Sequence, residues 1–471
     1  MRGLVPRIHG LPAAKKQRKT WMAGHRRAKA TPFFERLCPA MTARGAAILS
    51  RKLHYGWIIV GVTFLVTLAG AGVRAVPGVL MVPLESEFGW SRATISLAVA
   101  ISLVLYGLAG PFAASFMERF GIRRTVLVAL TLLATAVTLS TAMRESWQLL
   151  LLWGLGVGAG AGVIANVLSA VVAARWFTAR RGLVIGLLTG GMAAGQLVFL
   201  PTFAAVTTHY GWRATMLIAA TVSLVLIPIV ALLMRERPAD VGLSPYGEPD
   251  GVRPAPPPAQ GNPFALALTT LGEATHSRAF WLLAGSFFCC GASTNGLIAT
   301  HLIPACLDNG IPEVTSAGLL AAMGMFNMVG TAGSGWLSDR VDNRVLLAVY
   351  YTLRGLSLLY LPFSFVSFYG LGLFAVFYGL DWIATVPPTV RLSVMSFGKE
   401  KSGIIYGWIF ATHQLGSAAA AYFAGLMRAD LGSYLEAFIL SGLTCFAAAA
   451  MVMFIGVDWP WRRRQPVTAT A

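Results

Sequence analysis

Charged side chains are scarce in this 471-residue sequence. Only 12% of its residues are Asp, Glu, Lys or Arg, while 56% are hydrophobic. Soluble domains carry about 25% charged residues. A single soluble core cannot enclose so much apolar sequence, because cores stop growing as chains lengthen. The composition therefore excludes an ordinary soluble domain and indicates that the lipid bilayer is the solvent for most of the chain.

Residues that commonly carry catalysis or bind metals are also few and scattered. The chain holds five cysteines and seven histidines, with no spacing typical of a metal site or a disulfide framework. There is no Walker-type phosphate-binding loop, and no nucleophile, base and orienting group occur in a recognisable order. We predict a protein that is not an enzyme, binds no cofactor or metal, and does not draw its energy from ATP.

Acidic residues are outnumbered, at 19 against 37 Lys and Arg, and the net charge is +18. Most of the excess lies in residues 1–54, which hold thirteen basic residues and one acid. Such a tail is able to bind anionic lipid or nucleic acid, or it is disordered or untranslated. We expect the true start at Met41 or Met22, and we predict no nucleic-acid partner. The tail lacks the apolar core of a secretory signal.

Long apolar runs, in contrast, are abundant. A membrane helix needs about 20 mainly apolar residues, and twelve such runs are present. We place them at 55–83, 93–115, 124–143, 147–172, 182–207, 212–234, 279–305, 314–338, 344–366, 369–395, 402–427 and 433–456. The sequence thus predicts an all-α membrane protein whose twelve transmembrane helices form two pseudo-symmetric six-helix bundles.

The segment between the sixth and seventh runs is rich in Pro, Gly and charge, which is typical of a linker. The predicted domains are a basic tail at 1–54, a first bundle at 55–235, a linker at 236–278, a second bundle at 279–456 and a tail at 457–471. Lys and Arg cluster in alternate loops, including those that contain Arg123, Arg180 and Arg340. By the positive-inside rule these loops, the linker and both termini are cytoplasmic.

A charged element recurs at about half the chain length. SFMERFGIRRTVL follows the second apolar run, and WLSDRVDNRVLL follows the eighth. A carboxylate in such a loop accepts charge-assisted bonds from arginines or a helix N-terminus across the interface between the halves. We predict a conformational latch formed by Glu118, Arg119, Arg123, Arg124, Asp339, Arg340 and Arg344. The alternative is simple anchoring of the loops by their positive charge.

Both loops resemble the major facilitator superfamily signature Gly-x-x-x-Asp-Arg-x-Gly-Arg-Arg. In the first copy Glu118 replaces the aspartate and Ala114 the opening glycine, and in the second copy Asp342 replaces the later glycine. The resemblance covers residues 55–456. It implies two bundles that rock around a central site and expose it to each side in turn.

The stretch ARWFTARRGLVIGLLTGGMAAG resembles the fifth-helix motif of monocarboxylate porters and their bacterial relatives, including oxalate–formate-type antiporters. The matching residues are Phe177, Arg180, Arg181, Leu183, Gly186, Gly191 and Gly195. The eighth-helix Asp and Arg of the animal porters correspond here to Asn327 and Thr331. The eighth-helix arginine and eleventh-helix lysine of the oxalate-type members are absent.

This resemblance implies a monomeric secondary transporter in the inner membrane of a bacterium. Its substrate is expected to be a small organic anion, similar to a monocarboxylate, that moves by proton symport or by anion exchange. The alternative is a proton-coupled exporter of a drug or metabolite.

Ionisable side chains inside apolar runs are candidate functional groups, because each costs at least about 2.5–3.5 kcal/mol to insert. Arg74 lies in the first run with no acid beside it. A guanidinium binds a carboxylate through two parallel hydrogen bonds, so we predict that Arg74 binds the substrate anion. A structural contact between helices and an outer gate are the alternatives.

Other polar residues in the runs have weaker assignments. Arg354 and Asp381 lie at matched depths, which favours an ion pair or a proton-coupling role. Histidine side chains in general change protonation near neutral pH, so His413 is a candidate for proton coupling or substrate binding, or it is a hydrogen-bonded core residue. Arg391 is expected to reach the cytoplasmic surface, and His301 to act in a gate or in packing. Further predicted substrate contacts are Asn166, Gln196, Asn295, Asn327 and Gln414.

Overall fold

The structure is a computed structural model that describes residues 54–164, 166–248 and 263–456. Within these residues it is helical, and the only β-type pairing is an isolated bridge between Phe177 and Tyr246. The first-half helices are α1 Tyr55–Phe88, α2 Arg92–Phe120, α3 Ile122–Ser140, α4 Ser146–Trp176, α5 Arg181–Tyr210 and α6 Trp212–Leu233. Those of the second half are α7 Arg278–Asp308, α8 Glu313–Ser338, α9 Asn343–Ser364, α10 Phe368–Asp381, α11 Val386–Leu431 and α12 Leu435–Met453.

Eleven segments of the described chain are long and apolar enough to cross a membrane. The tenth, Tyr369–Gly398, joins α10 to the first part of α11. There α11 breaks, because Gly398 has φ 77° and ψ 163°. The predicted eleventh run, 402–427, forms the second part of α11 beyond this break. The prediction of an all-α membrane protein is confirmed.

The two halves repeat the same close helix contacts. A Cβ atom on Gly195 in α5 would lie 2.4 Å from the carbonyl oxygen of Leu68 in α1. In the second half, a Cβ atom on Gly291 in α7 would lie 1.8 Å from the carbonyl oxygen of His413 in α11. At these distances only glycine fits. Small residues serve the same purpose generally, because they let membrane helices pack closely. The pairs α1–α5 and α7–α11 are therefore equivalent, as pseudo-symmetric bundles require.

Large apolar side chains cover the outside of the bundle. Val329 is 66% exposed and Phe363 is 76% exposed, which suits a protein whose surrounding solvent is hydrocarbon. The core also crosses between the halves, since Val79 and Leu200 of the first half pack in one cluster with Leu302 and Leu320 of the second. The halves are thus joined by apolar packing as well as by polar contacts.

The predicted linker contains regular structure of its own. A short 3₁₀ turn forms at Pro238–Val241, and a helix, termed the linker helix, spans Pro263–Thr275. Phe264 stacks on Phe112 of α2 with ring centres 5.4 Å apart. The indole Nε1 of Trp408 in α11 donates to the carbonyl oxygen of Ala267 over 3.0 Å. The linker helix therefore contacts both halves.

The alternation of helix direction gives the bundle two ends. The Asp308 end contains residues 85–92, 308–313 and 428–435, where odd-numbered helices finish. The Asp339 end contains residues 116–124 and 336–344, where even-numbered helices of each half finish. The linker helix lies at the Asp339 end, because it contacts the late residues of α2.

Candidate substrate site at the interface of the halves

Arg74 lies near the middle of α1, in the small-residue stretch GAGVRAVPG. Its guanidinium carbon sits 4.1 Å from the centre of the Tyr106 ring in α2. Such cation–π contact stabilises a cation that has left water. Among the described residues no acid forms a salt bridge with Arg74, which is unlike the other arginine in the middle of a span, Arg354. Its hydrogen-bond donors therefore remain available to an anion.

A column of rings connects Arg74 to the other half. Tyr106 meets Phe410 of α11 edge to face, with ring centres 6.3 Å apart. Phe410 lies parallel to the His413 imidazole at 5.7 Å, and His413 also contacts Phe287 of α7 at 4.7 Å. The predicted anion ligand in the first half and the predicted titratable ligand in the second are thus joined through two aromatic rings.

His413 and Gln414 lie buried where α11 meets α2. His413 Nδ1 and Gln414 Oε1 have no hydrogen-bond partner in the described part of the chain. Buried polar atoms are almost always paired, so two unpaired atoms on adjacent residues indicate that something else satisfies them. Helices α2 and α11 also approach each other closely here, since a Cβ atom on Gly107 would lie 2.5 Å from the Cβ of Gln414. A larger residue at 107 would displace Gln414.

Arg354 and Asp381 form a buried ion pair within the second half. Arg354 Nε donates to Asp381 Oδ2 over 2.6 Å, and the two side chains are 0% and 5% exposed. Arg354 also donates to the Asp381 carbonyl oxygen and to Cys290 Sγ. Asp381 Oδ1 has no partner among the described residues. The pair ties α9, α10 and α7 together.

The predicted amide contacts lie in different surroundings. Asn327 in α8 is buried, and its Oδ1 accepts from the Ile383 backbone N–H and from Thr331 Oγ1, both over 3.0 Å. Asn327 therefore links α8 to the turn between α10 and α11. Asn295 lies in a π-helical stretch of α7, Ala292–Ile298; such stretches are frequent at functional sites. Gln196 is half-buried in α5, and the side chain of Asn166 lies outside the described residues.

The first-half copy of the charged loop is organised by an acid that sequence reasoning missed. Glu236, which follows α6, accepts from the backbone N–H groups of Ile122 and Arg123 over 2.5 and 3.0 Å. It thereby caps the N-terminus of α3, where negative charge is favourable. Arg119 lies over the Phe120 ring, and Arg124 is exposed. The Glu118 side chain is outside the described residues. The position of the Glu236 carboxylate, directly after α6, was the one feature of the sequence that pointed to its role.

In the second-half copy, the charged groups pair within their own half. Asp339 accepts from Arg391, which arrives from the first part of α11. Arg340 lies over the Trp336 ring at 4.1 Å. Arg344 forms a 2.7 Å salt bridge with Asp342, and this hydrogen bonding lowers the pKa of Asp342. The latch residues are thus placed at one end of the bundle, and their conformational role stays a prediction.

The fold and the site together define a class of protein. Two six-helix bundles meet around aromatic rings, a cation without a salt bridge to any described acid, and polar atoms without a partner among the described residues, which is the arrangement of a membrane transporter with a central site. A family profile described as Major Facilitator Superfamily matches residues 62–421. The chain belongs to this superfamily.

Individual relatives share about a quarter of its residues. It is 25% identical to the uncharacterized MFS-type transporter YcxA of Bacillus subtilis, over 85% of this chain and 93% of that protein. Identity to monocarboxylate transporter 13 of Bos taurus is 26%, over 85% and 89%. Identity to the oxalate:formate antiporter of Oxalobacter formigenes is 24%, over 79% and 85%. The predicted resemblance to both groups of transporters is confirmed.

A solved structure supports the fold. The crystal structure of a bacterial homologue of the human lysosomal transporter Spinster, inward-facing and unoccupied, is similar with a TM-score of 0.65. The match covers 85% of this chain and 97% of that one at 15% identity. At this identity the likeness concerns the path of the backbone and not the substrate.

Proposed function

We propose that this protein is a secondary active transporter of a small organic anion similar to a monocarboxylate. The observation that carries the proposal is Arg74, a cation in the middle of a span that lies on Tyr106 without a salt bridge to any described acid. Relatives named as monocarboxylate transporters and as an oxalate:formate antiporter support a carboxylate as cargo. ATP has no part in the proposal, since the gradient of a coupled ion or anion supplies the energy.

The geometry of the site supports a specific mode of substrate binding. A carboxylate accepts two N–H groups at the edge of the Arg74 guanidinium, while the Tyr106 ring supports one face of the same group. His413 and Gln414 contribute polar atoms from the second half, and Gln196, Asn295 and Asn166 are further candidate contacts. A bound anion then bridges the two bundles, which is how one site is presented to each side in turn.

Two coupling modes follow from the charge of this site. A monoanion neutralises Arg74, whereas the empty site carries an unpaired cation through a medium of low dielectric. Anion exchange results if only the loaded carrier reorients. Proton symport results if a proton travels with the anion, for which His413 and the free Asp381 oxygen are the candidate carriers.

We also propose an orientation and a role for the charged loops. The basic loops support a cytoplasmic position in a bacterial cell for the Asp339 end, both termini and the linker. The latch predicted from Glu118, Arg123, Asp339 and their neighbours then acts at the cytoplasmic side, in a transporter that works as a monomer. The buried Arg354–Asp381 pair stabilises the second half.

The decisive experiment is counterflow in proteoliposomes with a panel of labelled organic acids, with and without a pH gradient. We expect Arg74→Ala to abolish uptake of the transported acid and Arg74→Lys to keep a small part, because lysine retains the charge but not the bidentate geometry. Arg213→Ala is the matched control, since Arg213 pairs with Glu87 at a helix end within the first half.

Each result has a distinct meaning. Unchanged uptake by Arg74→Ala would refute the assignment of Arg74 as the anion ligand. Stimulation by an inward proton gradient indicates symport, and uptake that requires internal anion indicates exchange. Movement of cationic dyes, with none of the acids transported, would favour the exporter instead.

A further inference from the structure

A network of charges joins the two halves at the Asp308 end. Arg92, the first residue of α2, donates from Nη1 and Nη2 to both carboxylate oxygens of Asp308, the last residue of α7, over 2.6 and 2.8 Å. The Arg92 side chain is only 6% exposed. A bidentate pair with so little contact with water is among the strongest polar contacts that a protein makes. It connects residues 216 positions apart in the chain.

Each member of this pair also has a partner in its own half. Arg92 Nε donates to Glu85 Oε2 of α1 over 2.8 Å. Asp308 Oδ2 accepts from Arg428 Nε of α11 over 2.7 Å. The four charges therefore consist of one neutral pair from the first half and one neutral pair from the second.

The buried Tyr434 side chain contacts this network. The Tyr434 hydroxyl accepts from Arg92 Nη1 over 3.3 Å and contacts His301 Nδ1 over 3.2 Å. His301 is completely buried, and its Nε2 is bonded to the carbonyl oxygen of Ala421 over 2.8 Å. These contacts connect the charges to α7 and α11, so the network is part of the helix packing and not a surface ion pair.

When the halves separate at this end, no charge is left without a partner of opposite sign. Breaking a buried ion pair is normally unfavourable because it leaves an isolated charge. Here Arg92 keeps Glu85 and Asp308 keeps Arg428 when the bundles part, so both halves leave with their charges compensated. The contact is strong when closed and is still able to open, which is what a reversible gate requires.

We propose that Glu85, Arg92, Asp308 and Arg428 form a gate, termed the four-charge gate, that closes and opens the Asp308 end of the substrate path by making and breaking the Arg92–Asp308 contact. In the closed state Arg92 bonds to Asp308 across the halves. In the open state each residue keeps the partner from its own half. The gate does not depend on which anion is carried, so it stands or falls separately from the proposed substrate.

The proposal predicts opposite effects for two similar substitutions. Asp308→Asn removes the contact between the halves and shifts the protein toward the open state. Glu85→Gln removes the partner that Arg92 needs in the open state, and so shifts the protein toward the closed state. General damage to the helix packing would instead open this end in both variants.

A cysteine below the gate reports its position. Ala418 in α11 is 5% exposed and packs with Val99 and Leu103 of α2, deeper in the bundle than Arg428. We suggest Ala418→Cys in the full-length protein, labelled with a membrane-impermeant maleimide in right-side-out and in inverted vesicles. The protein without the Ala418→Cys substitution is labelled in parallel, and its labelling gives the background from the native thiols.

From the side at which the Asp308 end lies, we expect the labelling rate to rise several-fold with Asp308→Asn and to fall several-fold with Glu85→Gln. Glu87→Gln is the matched control and should leave the rate unchanged, because Glu87 pairs with Arg213 inside one half. An unchanged rate with Asp308→Asn, or an increase with Glu85→Gln, would overturn the proposal.

Discussion

The two ends of the bundle are held together by different kinds of contact. At the Asp308 end, Arg92 and Asp308 pair directly between the halves and are largely withdrawn from water. At the Asp339 end, the described ion pair of Asp339 with Arg391 lies within the second half and is exposed to solvent. There the halves meet through rings, such as Phe112 and Trp408 at 6.1 Å, and through the linker helix.

This difference shows that pseudo-symmetric halves do not produce equivalent ends. The charged loops repeat in sequence at the Asp339 end, yet the ion pair that crosses the halves is formed at the opposite end by residues with no repeated signature. Buried ionic contacts are directional and are lost over short movements, whereas ring contacts are weaker and tolerate sliding. Three sets of substitutions test this contrast.

The largest effect is expected from the buried pair that belongs to neither end. Arg354→Ala leaves Asp381 buried without its cation, and we expect a loss of about 3–5 kcal/mol in the free energy of unfolding. Thermal or denaturant unfolding in detergent measures it. The double variant with Asp381→Ala should cost less than the sum of the single variants; strictly additive losses would show that the two side chains do not interact.

A direct comparison of the ends gives the next effect. We expect Asp308→Ala to reduce the free energy of unfolding by about 2–3 kcal/mol, because it removes the bidentate hydrogen bonds of Arg92 and the partner of Arg428. Asp339→Ala removes a pair whose side chains are 45% and 67% exposed, so we expect a loss of at most about 1 kcal/mol. The same unfolding assay serves for both variants. Equal losses would remove the distinction between a buried ionic end and an exposed one.

An effect smaller than that of Asp308→Ala is expected from the ring contacts of the Asp339 end. Phe264→Ala removes the stacking of the linker helix on Phe112 and its contact with Phe116, whose ring centre is 5.7 Å away. Aromatic pairs contribute about 0.5–1.5 kcal/mol each, so we expect a loss of about 1–2 kcal/mol. Phe264→Leu should recover part of it. Full stability in Phe264→Ala would mean that these ring contacts do not hold the linker helix on α2.

Much of the fold was predictable, because hydropathy and helix boundaries are local properties. The predicted run 212–234 corresponds to α6 at Trp212–Leu233, and the run 344–366 to α9 at Asn343–Ser364. Helices whose ends carry charged residues were predicted too short. The run 93–115 corresponds to α2, which continues through Arg119 to Phe120. The linker helix was missed, because it is too short to be a membrane span and follows a proline-rich stretch.

The candidate site was predictable as residue types but not as contacts. Arg74, His413 and Gln414 attract attention in sequence because ionisable and amide groups are rare in apolar runs. Nothing in the order of residues indicates that Tyr106 supports Arg74 or that Cys290 accepts from Arg354. Those contacts connect different helices, so they depend on how the bundle is assembled.

The sequence by itself determined the solvent of this protein, the succession of helices, the division into halves and the superfamily. Each of these follows from sums of transfer free energies and from charge counts along the chain. Only the tertiary structure decided which charges are paired and which are free. Arg74 and Arg92 are both single arginines in the first half, yet one faces a ring and the other a carboxylate from the second half. The reason is physical: the partner of a buried charge is set by packing between helices that lie far apart in the chain.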